Sequence, residues 1–419
     1  MKLKQKLDFV ELGYKPRDDV VCLFKITPNN MRVVEAANIV ALESSVGTWT
    51  YLKERDYVKK LKAKVFSVHG NYVKIAYPAE LFEKGNIPNM LSSIAGNIFG
   101  MKAVKALRLE DVSFPKSIVK GFQGPKYGIN GIRKMLNVYD RPLIGTIIKP
   151  KLGLNTEHHA KSAYQSWVGG CDIVKDDENL ASQKFNEFEK RVVETLKMAE
   201  KAEKQTGGKK VYLVNVTAET SEMLKRAKLV EKLGGKFVMV DILTEGWGAV
   251  QSLRKMDLNL AIHAHRAMHA AFTRNPNHGI NMMVIADFAR LAGVDQIHIG
   301  TGIGKLAGKI QDIQQIKDEI EKHNVKATKM RLEQNWGSIK PVLAVCSGGL
   351  HPGHIPFLVK NLGKDIVIQM GGGIHGNYLG TSRGAMAARQ AVDAVMKEIS
   401  LEEYAETHYE LKVALEQWG

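Results

Sequence analysis

The sequence predicts an α/β protein in two parts. A ferredoxin-like α+β domain spans residues 1–120, and a (β/α)8 TIM barrel with a short C-terminal helical segment spans 121–419. Three observations predict this. At 419 residues the chain is too long for one average domain and suits a barrel plus a smaller partner. The first part reads strand, helix, two strands, helix, strand. The second part carries eight short apolar runs, with helical or mixed segments between them.

In the first part, DDVVCLFKITP reads as a strand stopped at Pro28, and MRVVEAANIVALESS has helical spacing. VFSVHGNYVKIAY is a hairpin turning at Gly70-Asn71. IPNMLSSIAGNIFG is a second helix and VKALRLEDVSFP a last strand. After the linker FPKSIVKGFQGPKYG come the barrel runs at 142–149, 172–175, 211–216, 237–243, 260–265, 296–301, 341–347 and 366–370. FNEFEKRVVETLKMAEKAEK and IQDIQQIKDEIEK are amphipathic helices between them. A doubly wound open sheet is the rival, but it rarely keeps strict alternation over eight strands. Two further helical stretches, ARQAVDAVMKEI and EEYAETHYELKVALEQW, close the chain.

Composition narrows the function classes. The chain is 44% hydrophobic and 25% charged, which describes an ordinary globular protein. Cys22, Cys171 and Cys346 form no C-x-x-C pair, so neither a disulfide framework nor a zinc cluster is expected, and a reducing cytoplasm fits. The basic N-terminus has no apolar run behind it and is not expected to be a signal peptide. No stretch is long and apolar enough to suggest a membrane span. The net charge of +16 raises nucleic-acid binding as a reading. Its lysines and arginines are mixed with acids, as in ERDYVKKLKAK, and no recognition helix, zinc finger or basic arm is evident. The expectation is therefore no nucleic acid, with the positive field drawing a small anion instead.

In such a barrel the active site lies where strands end. Here the strand ends carry Lys149 and Lys151, then Lys175-Asp176-Asp177-Glu178, then His265 and Arg266, then His298 and a glycine-rich stretch to Lys305. Ser347-Gly348-Gly349 and Gly371-Gly372-Gly373 end the last two. One polar strand end means little, because any loop is polar; six on one face converge. Asp177 and Glu178 are hard oxygen donors suited to Mg²⁺, though two acids alone could be a solvated turn. Lys175, two residues before Asp177, would share its side if the strand continued. Only a neutral amine, or one converted to an anion by CO₂, could sit at a cation site, and burial favours the neutral form. The glycines let backbone N–H groups approach phosphates, with Arg266 and Lys305 adding charge; two such cradles suit a bisphosphate. Histidines 263, 265, 269 and 298 read equally as core or as functional residues.

These motifs carry a resemblance. GTIIKPKLGL (145–154), GGCDIVKDDEN (169–179), IHAHRAMHAAFTRN (262–275), HIGTGIGKLAG (298–308), SGGLHPGH (347–354) and MGGG (370–373) resemble successive signatures of the ribulose-1,5-bisphosphate carboxylase/oxygenase (RuBisCO) large-subunit family. ESSVGTWT (43–50), SIAGNIFG (93–100) and ALRLEDVSFP (106–115) resemble its N-terminal signatures, and the pattern leans toward archaeal form III members. The resemblance implies carboxylation and oxygenation of ribulose 1,5-bisphosphate, with CO₂ and O₂ as co-substrates, in carbon fixation or nucleotide salvage. It implies that Lys175 is carbamylated by an activator CO₂ and holds Mg²⁺ with Asp177 and Glu178. The carbamate would abstract the C3 proton. Lys149, supported by Lys151, would move protons on the enediol, and His265 would assist hydration. Lys305 would steady the new carboxylate. Arg266, His298 and Ser347 would hold one phosphate; Thr48, Trp49, Gly348, Gly349, Gly371 and Gly372 would serve the other. Glu43 and Asn97 would complete the site of a neighbouring subunit, giving a homodimer or a multimer of dimers without a small subunit.

Some positions depart from the plant-type pattern. Ile147 replaces a threonine, Ile299 a serine and Ala307 a glutamate, and the plant enzyme's C-terminal strap is expected to be missing. A RuBisCO-like isomerase of sulfur-containing sugar phosphates is the nearest rival, distinguished by lost active-site residues that this chain keeps.

Overall fold

The computed structural model describes residues 7–48, 50, 53, 55–305 and 308–419. It divides into two units. The first takes in the chain up to Gly124 together with Met268–Ala292 and Lys322–Ile339, and the second holds the remainder. Strands are numbered along the chain.

The first unit is built on β1 (Asp19–Pro28), β2 (Lys64–His69), β3 (Tyr72–Pro78), β4 (Val104–Ser113) and the short β10 (Gly279–Ile280). The sheet order is β10-β4-β1-β3-β2. The first four strands pair antiparallel, as the ferredoxin-like reading expects, while β10 joins β4 in parallel. The β2–β3 hairpin turns at Gly70-Asn71, where Gly70 takes φ +57. The helix Val33–Glu43 buries Ala36, Ala37, Val40 and Ala41. The expected second helix is shorter than its sequence stretch. It ends at Ile94, and a 3-10 turn follows over Asn97–Gly100. Gly96, at φ −90 and ψ −133, interrupts it where an added Cβ would lie 2.0 Å from Ser92 O.

Two pieces from late in the sequence complete this unit. The helix Met282–Ala292 is buried along its whole length, and Phe288 meets Phe114 edge-on at 5.3 Å. The ribbon of β12 (Asn324–Val325) and β13 (Gln334–Asn335) is clamped to the end of β4. Gln334 Oε1 accepts from Phe114 N at 2.7 Å, and Asp111 Oδ2 accepts from Leu332 N at 2.6 Å.

The second unit is the barrel. Its strands are β5 (Leu143–Ile147), β6 (Ile173–Lys175), β7 (Val211–Asn215), β8 (Phe237–Asp241), β9 (Ala261–His265), β11 (Gln296–His298), β14 (Leu343–Ser347) and β15 (Ile366–Gln369). They close in that order, all parallel, and coincide with the eight apolar runs of the sequence. Alternate side chains of a strand share a face. Leu143, Ile173, Leu213, Phe237, Ala261, Leu343 and Val367 form one buried cluster at the start of the strands. The helix Gly128–Leu136 plugs that end with Ile129, Ile132 and Leu136. No helix among the described residues is long and apolar enough to cross a membrane.

One carboxylate ties this end together. Asp295 is fully buried; Oδ1 accepts from Tyr127 N and Gly128 N at 2.7 and 2.9 Å, and Oδ2 from Ile262 N at 2.9 Å and Arg254 Nη2 at 2.5 Å. It joins the start of the plug helix to β9. Removing one member of a buried ion pair strands the other charge. Asp295→Ala is therefore expected to lose about 3–5 kcal/mol of stability, seen as a lower denaturant midpoint. A midpoint matching the parent protein would remove this anchor from the account.

Candidate active site

The period-two alternation that fills the barrel floor with aliphatic side chains also dictates its opposite end. Two residues beyond Ile173 stands Lys175; beyond Met239, Asp241; beyond His263, His265; beyond Val345, Ser347; beyond Val367, Gln369. A cavity of about 460 Å³ opens there. Its lining includes Lys149, Lys175, Glu178, His265, His298, Lys305, Ser347, Gly348, Gly349, Gly371 and Gly372. These eleven expected site residues thus share one cavity of the second unit.

Lys175 is 1% exposed. Its Nζ donates to Asp176 O at 2.7 Å, lies 3.1 Å from Met239 Sδ, and is 3.7 Å from Glu178 Oε2. Burial pushes the amine below the ordinary lysine range, against the opposing pull of Glu178 and Asp177. Burial tends to raise the Glu178 carboxyl, but Lys175 and His265 outweigh it and hold the group well below the usual carboxylate range.

The expectation that Lys175 and Asp177 continue one strand needs correction. β6 ends at Lys175, and Asp177 turns toward Lys149, whose Nζ donates to Asp177 Oδ2 at 2.7 Å. Glu178 is the carboxylate beside Lys175 in the cavity lining. Asp176 causes the turn. Its fully buried carboxylate accepts from Tyr212 Oη at 2.6 Å and Asn215 N at 3.0 Å, with His159 Nε2 at 3.2 Å and Arg191 Nε at 3.4 Å. Burial raises this carboxyl, yet Arg191, His159 and Tyr212 prevail and set it at about 2. With Asp176 locked outward among helices, its two acidic neighbours face the strand ends.

As they stand, two carboxylates and an amine do not make a cation site. Among the described residues no group of three or more His, Cys, Asp or Glu side chains could hold a metal. The donor chemistry fits a hard divalent cation only if Lys175 carries an oxygen anion. Its buried amine, made less basic by desolvation, suits that conversion.

The histidines form ordered chains. Gln296 Oε1 accepts from His263 Nδ1 at 2.9 Å, so His263 Nε2 is left to accept from His298 Nε2 at 2.9 Å. His298 Nδ1 then accepts from Ser347 Oγ at 2.8 Å. Burial pushes both rings well below the ordinary histidine range, so both are neutral, as this proton order requires. Ser347 therefore turns its oxygen lone pairs away from His298. His265 Nδ1 donates to Asp241 Oδ1 at 2.7 Å, leaving Nε2 facing Glu178 Oε2 at 3.6 Å.

Lys151 lies to the side, its Nζ donating to Asn179 Oδ1 at 3.1 Å. Crowding by protein lowers the Arg266 guanidinium to about 10, so it is charged at neutral pH. The exposed Lys305 has its backbone N–H on Gly348 O at 3.2 Å. Gly349, at φ +73, allows that approach; a Cβ there would lie 2.8 Å from Lys305 Cγ. Glu43, Thr48 and Asn97 belong to the first unit. Trp49 and Ala307 lie outside the described residues. Gln369, Leu350, His351 and Trp418 also line the cavity and escaped the sequence reading. Gln369 and Asp241 had a usable signal, being inward positions at strand ends.

His375 supports the same end of the barrel. Thr146 Oγ1 donates to Met370 O at 2.7 Å and so accepts from His375 Nε2 at 3.0 Å. Nδ1 accepts from Thr381 Oγ1 at 3.2 Å. Burial and then Lys149 lower the ring from 6.5 to about 4. Unfolded chains take up this proton near pH 6.5 and the native one only near 4, so the stabilisation is complete above 6.5 and lost as pH falls toward 4. Allowing for partial exposure, the loss is roughly 2 kcal/mol. His375→Gln is expected to flatten the fall of Tm across that window; an unchanged fall would assign it to other groups.

The comparisons with known proteins agree along the whole chain. Residues 8–118 match the family model described as ribulose bisphosphate carboxylase large chain, N-terminal domain, and 128–418 match that of the catalytic domain. The chain is similar to the ribulose bisphosphate carboxylase of Methanosarcina mazei, at 50% identity over 98% of this chain and 99% of that one. That of Methanocaldococcus jannaschii is 48% identical over 98% of this chain and 100% of its own. Among solved structures, the dimeric archaeal Rubisco of Hyperthermus butylicus is similar with TM-score 0.93 and 48% identity over 99% of both chains. The octameric enzyme of Pyrococcus horikoshii has TM-score 0.91 and 46% identity over 98% of this chain and 96% of that one. With a closed parallel barrel, an antiparallel N-terminal sheet and both domain models matched in order, the chain belongs to the ribulose bisphosphate carboxylase large-chain family.

Proposed function

We propose that this chain carboxylates ribulose 1,5-bisphosphate with CO₂ to give two molecules of 3-phosphoglycerate, oxygenates the same substrate, and serves nucleotide salvage as a form III enzyme. The observation that carries the reading is a buried amine, Lys175, 3.7 Å from Glu178 in a cavity that also holds Lys149, His265 and Lys305. Lys175 captures an activator CO₂ as a carbamate and, with Asp177 and Glu178, holds Mg²⁺. When bound, the ion supplies stabilisation of negative charge developing on substrate oxygens.

The chain's own groups do the rest. Lys149 Nζ, held by Asp177 at 2.7 Å, is placed to move protons on the enediol and later to the product carbanion. Lys151 supports it. His265, oriented through Nδ1 by Asp241, presents Nε2 for the hydration step. Lys305 steadies the new carboxylate. Arg266, His298 and Ser347 bind one phosphate. Gly348, Gly349, Gly371 and Gly372 bind the other, with Thr48 and Trp49. Glu43 and Asn97 complete the site of a second copy, so the active form is a homodimer or a multimer of dimers, without a small subunit.

Incorporation of labelled CO₂ into 3-phosphoglycerate, with ribulose bisphosphate and Mg²⁺ after preincubation with CO₂, tests the reading. Lys175→Ala is expected to lower that incorporation by at least about 10³-fold while keeping the native circular-dichroism spectrum. Near-normal turnover of the variant would refute the role of Lys175, and absence of labelled product from the parent protein would refute the activity.

A further inference from the structure

Glu43 is the last residue of the helix Val33–Glu43 and is half-buried, yet no hydrogen bond or ion pair among the described residues holds its carboxylate. The end of the helix that carries it therefore sets its direction. That end is fastened at three points. Ser44, 5% exposed, donates its hydroxyl to Val40 O at 2.5 Å, so its oxygen accepts from Tyr77 Oη at 2.9 Å. Ser45 Oγ donates to Ala41 O at 2.6 Å and accepts from Ala63 N at 3.2 Å. Gly47 N donates to Leu42 O at 3.0 Å, and a Cβ on Gly47 would lie 2.4 Å from Leu42 Cγ.

Tyr77 is the fully buried member of this set. It stands on β3, and its ring meets Phe82 at 6.3 Å. Phenylalanine and alanine would pack the same space, and replacing both partners of a buried hydrogen bond with apolar groups of like shape costs little. What the hydroxyl pair adds is direction. Apolar burial is indifferent to small slides and rotations, whereas a hydrogen bond is not.

We propose that Tyr77, acting through Ser44, is a positioning residue that aims Glu43, and that its effect falls on the active site of the second copy instead of the barrel of its own chain. The inference rests on the reading in which Glu43 completes a neighbouring site, and it deepens that reading by naming what orients the residue. A displacement near 1 Å at a group far from the chemistry can cost about 10²-fold in rate, so a single hydroxyl is enough to matter.

Tyr77→Phe is expected to lower the kcat of CO₂ fixation by about 10-fold while keeping the native circular-dichroism spectrum. Mixed dimers, co-expressed under two affinity tags, assign the effect to a chain. Pairing Tyr77→Phe with Lys175→Ala leaves one site that joins an intact barrel to an intact Tyr77, and turnover per intact Lys175 is expected to return to the parent level. Pairing the parent chain with the double variant Tyr77→Phe, Lys175→Ala is expected to stay low, because the working barrel then meets the altered helix end. Parent turnover by Tyr77→Phe homodimers would overturn the inference and leave the hydroxyl a packing group. Any other pattern in the mixed dimers would overturn it too: both low marks a structural defect, and the reverse order marks an effect within one chain. Ser44→Ala cuts the same bond from the other side and enters the same pairs should Tyr77→Phe not fold. Glu43→Gln in those pairs tests the underlying reading by itself. If it does not complement Lys175→Ala, the placement of Glu43 falls, whatever Tyr77 does. Failure of the parent protein to fix labelled CO₂ would instead refute the underlying activity.

Discussion

A strand in a closed barrel sends every second side chain into an interior with no other exit, and this geometry governs the molecule from floor to site. At the strand starts the inward residues are Leu143, Ile173, Phe237, Ala261, Leu343 and Val367, packed with the plug helix into one dry cluster. One or two inward steps later the same strands present Lys175, Asp241, His265, Ser347 and Gln369. The pleat cannot turn these polar groups outward without also turning the aliphatic residues of the same strand away from the core. The core therefore fixes the site's orientation, and any register slip would lose both.

Such a polar layer is stable only if its members pair across strands. Most do. Gln296, His263, His298 and Ser347 form a neutral chain running from β11 to β9, back to β11 and on to β14, in which both rings use both nitrogens. Asp241 of β8 holds His265 of β9. Lys175 finds a backbone carbonyl and a thioether, weak company for a full charge. Glu178, 3.7 Å away, is its nearest carboxylate partner, and Asp177 is engaged by Lys149. Desolvation lowers the amine's basicity against the pull of these acids, which shifts it toward the unprotonated form a lysine needs in order to act as a nucleophile.

Much of this was legible in the sequence because both periodicities are strong. All eight barrel runs are strands, and the glycine-rich and charged strand ends meet in one cavity. What escaped had no local signal. Asp176 looks like one more acid of an acidic turn, yet its partners Tyr212, Arg191 and His159 come from three separate elements, and only the fold brings them together. The condition attached to the same-side reading of Lys175 and Asp177, a strand that continues past Lys175, is not met: β6 ends there, and Asp177 instead meets Lys149. The segments 268–292 and 322–339 interrupt the barrel pattern in sequence but pack with the N-terminal sheet. Their strands are two residues long and leave almost no pattern to read. Trp418 reaches the cavity from the far end of the sequence, a contact that periodicity cannot reveal.

The contrast between Asp241 and Gln369 shows how the polar layer divides its labour. Both are inward-facing last residues of their strands and both are buried. Asp241 spends its charge inside the protein, fixing which nitrogen of His265 carries the proton and thus which one faces Glu178. Gln369 has no such internal partner, although the glycine opposite keeps space for its side chain. A group already paired can orient its neighbour but has little left for a ligand. A buried group still unpaired exerts the opposite bias, because binding then supplies hydrogen bonds that the free protein lacks. Selectivity for a polar substrate is strongest where the site's own polar groups are left unmet by an analogue lacking the matching atom. The layer thus contains both kinds of residue, and their pairing state, more than their position on the barrel, separates those that orient a neighbour from those that do not.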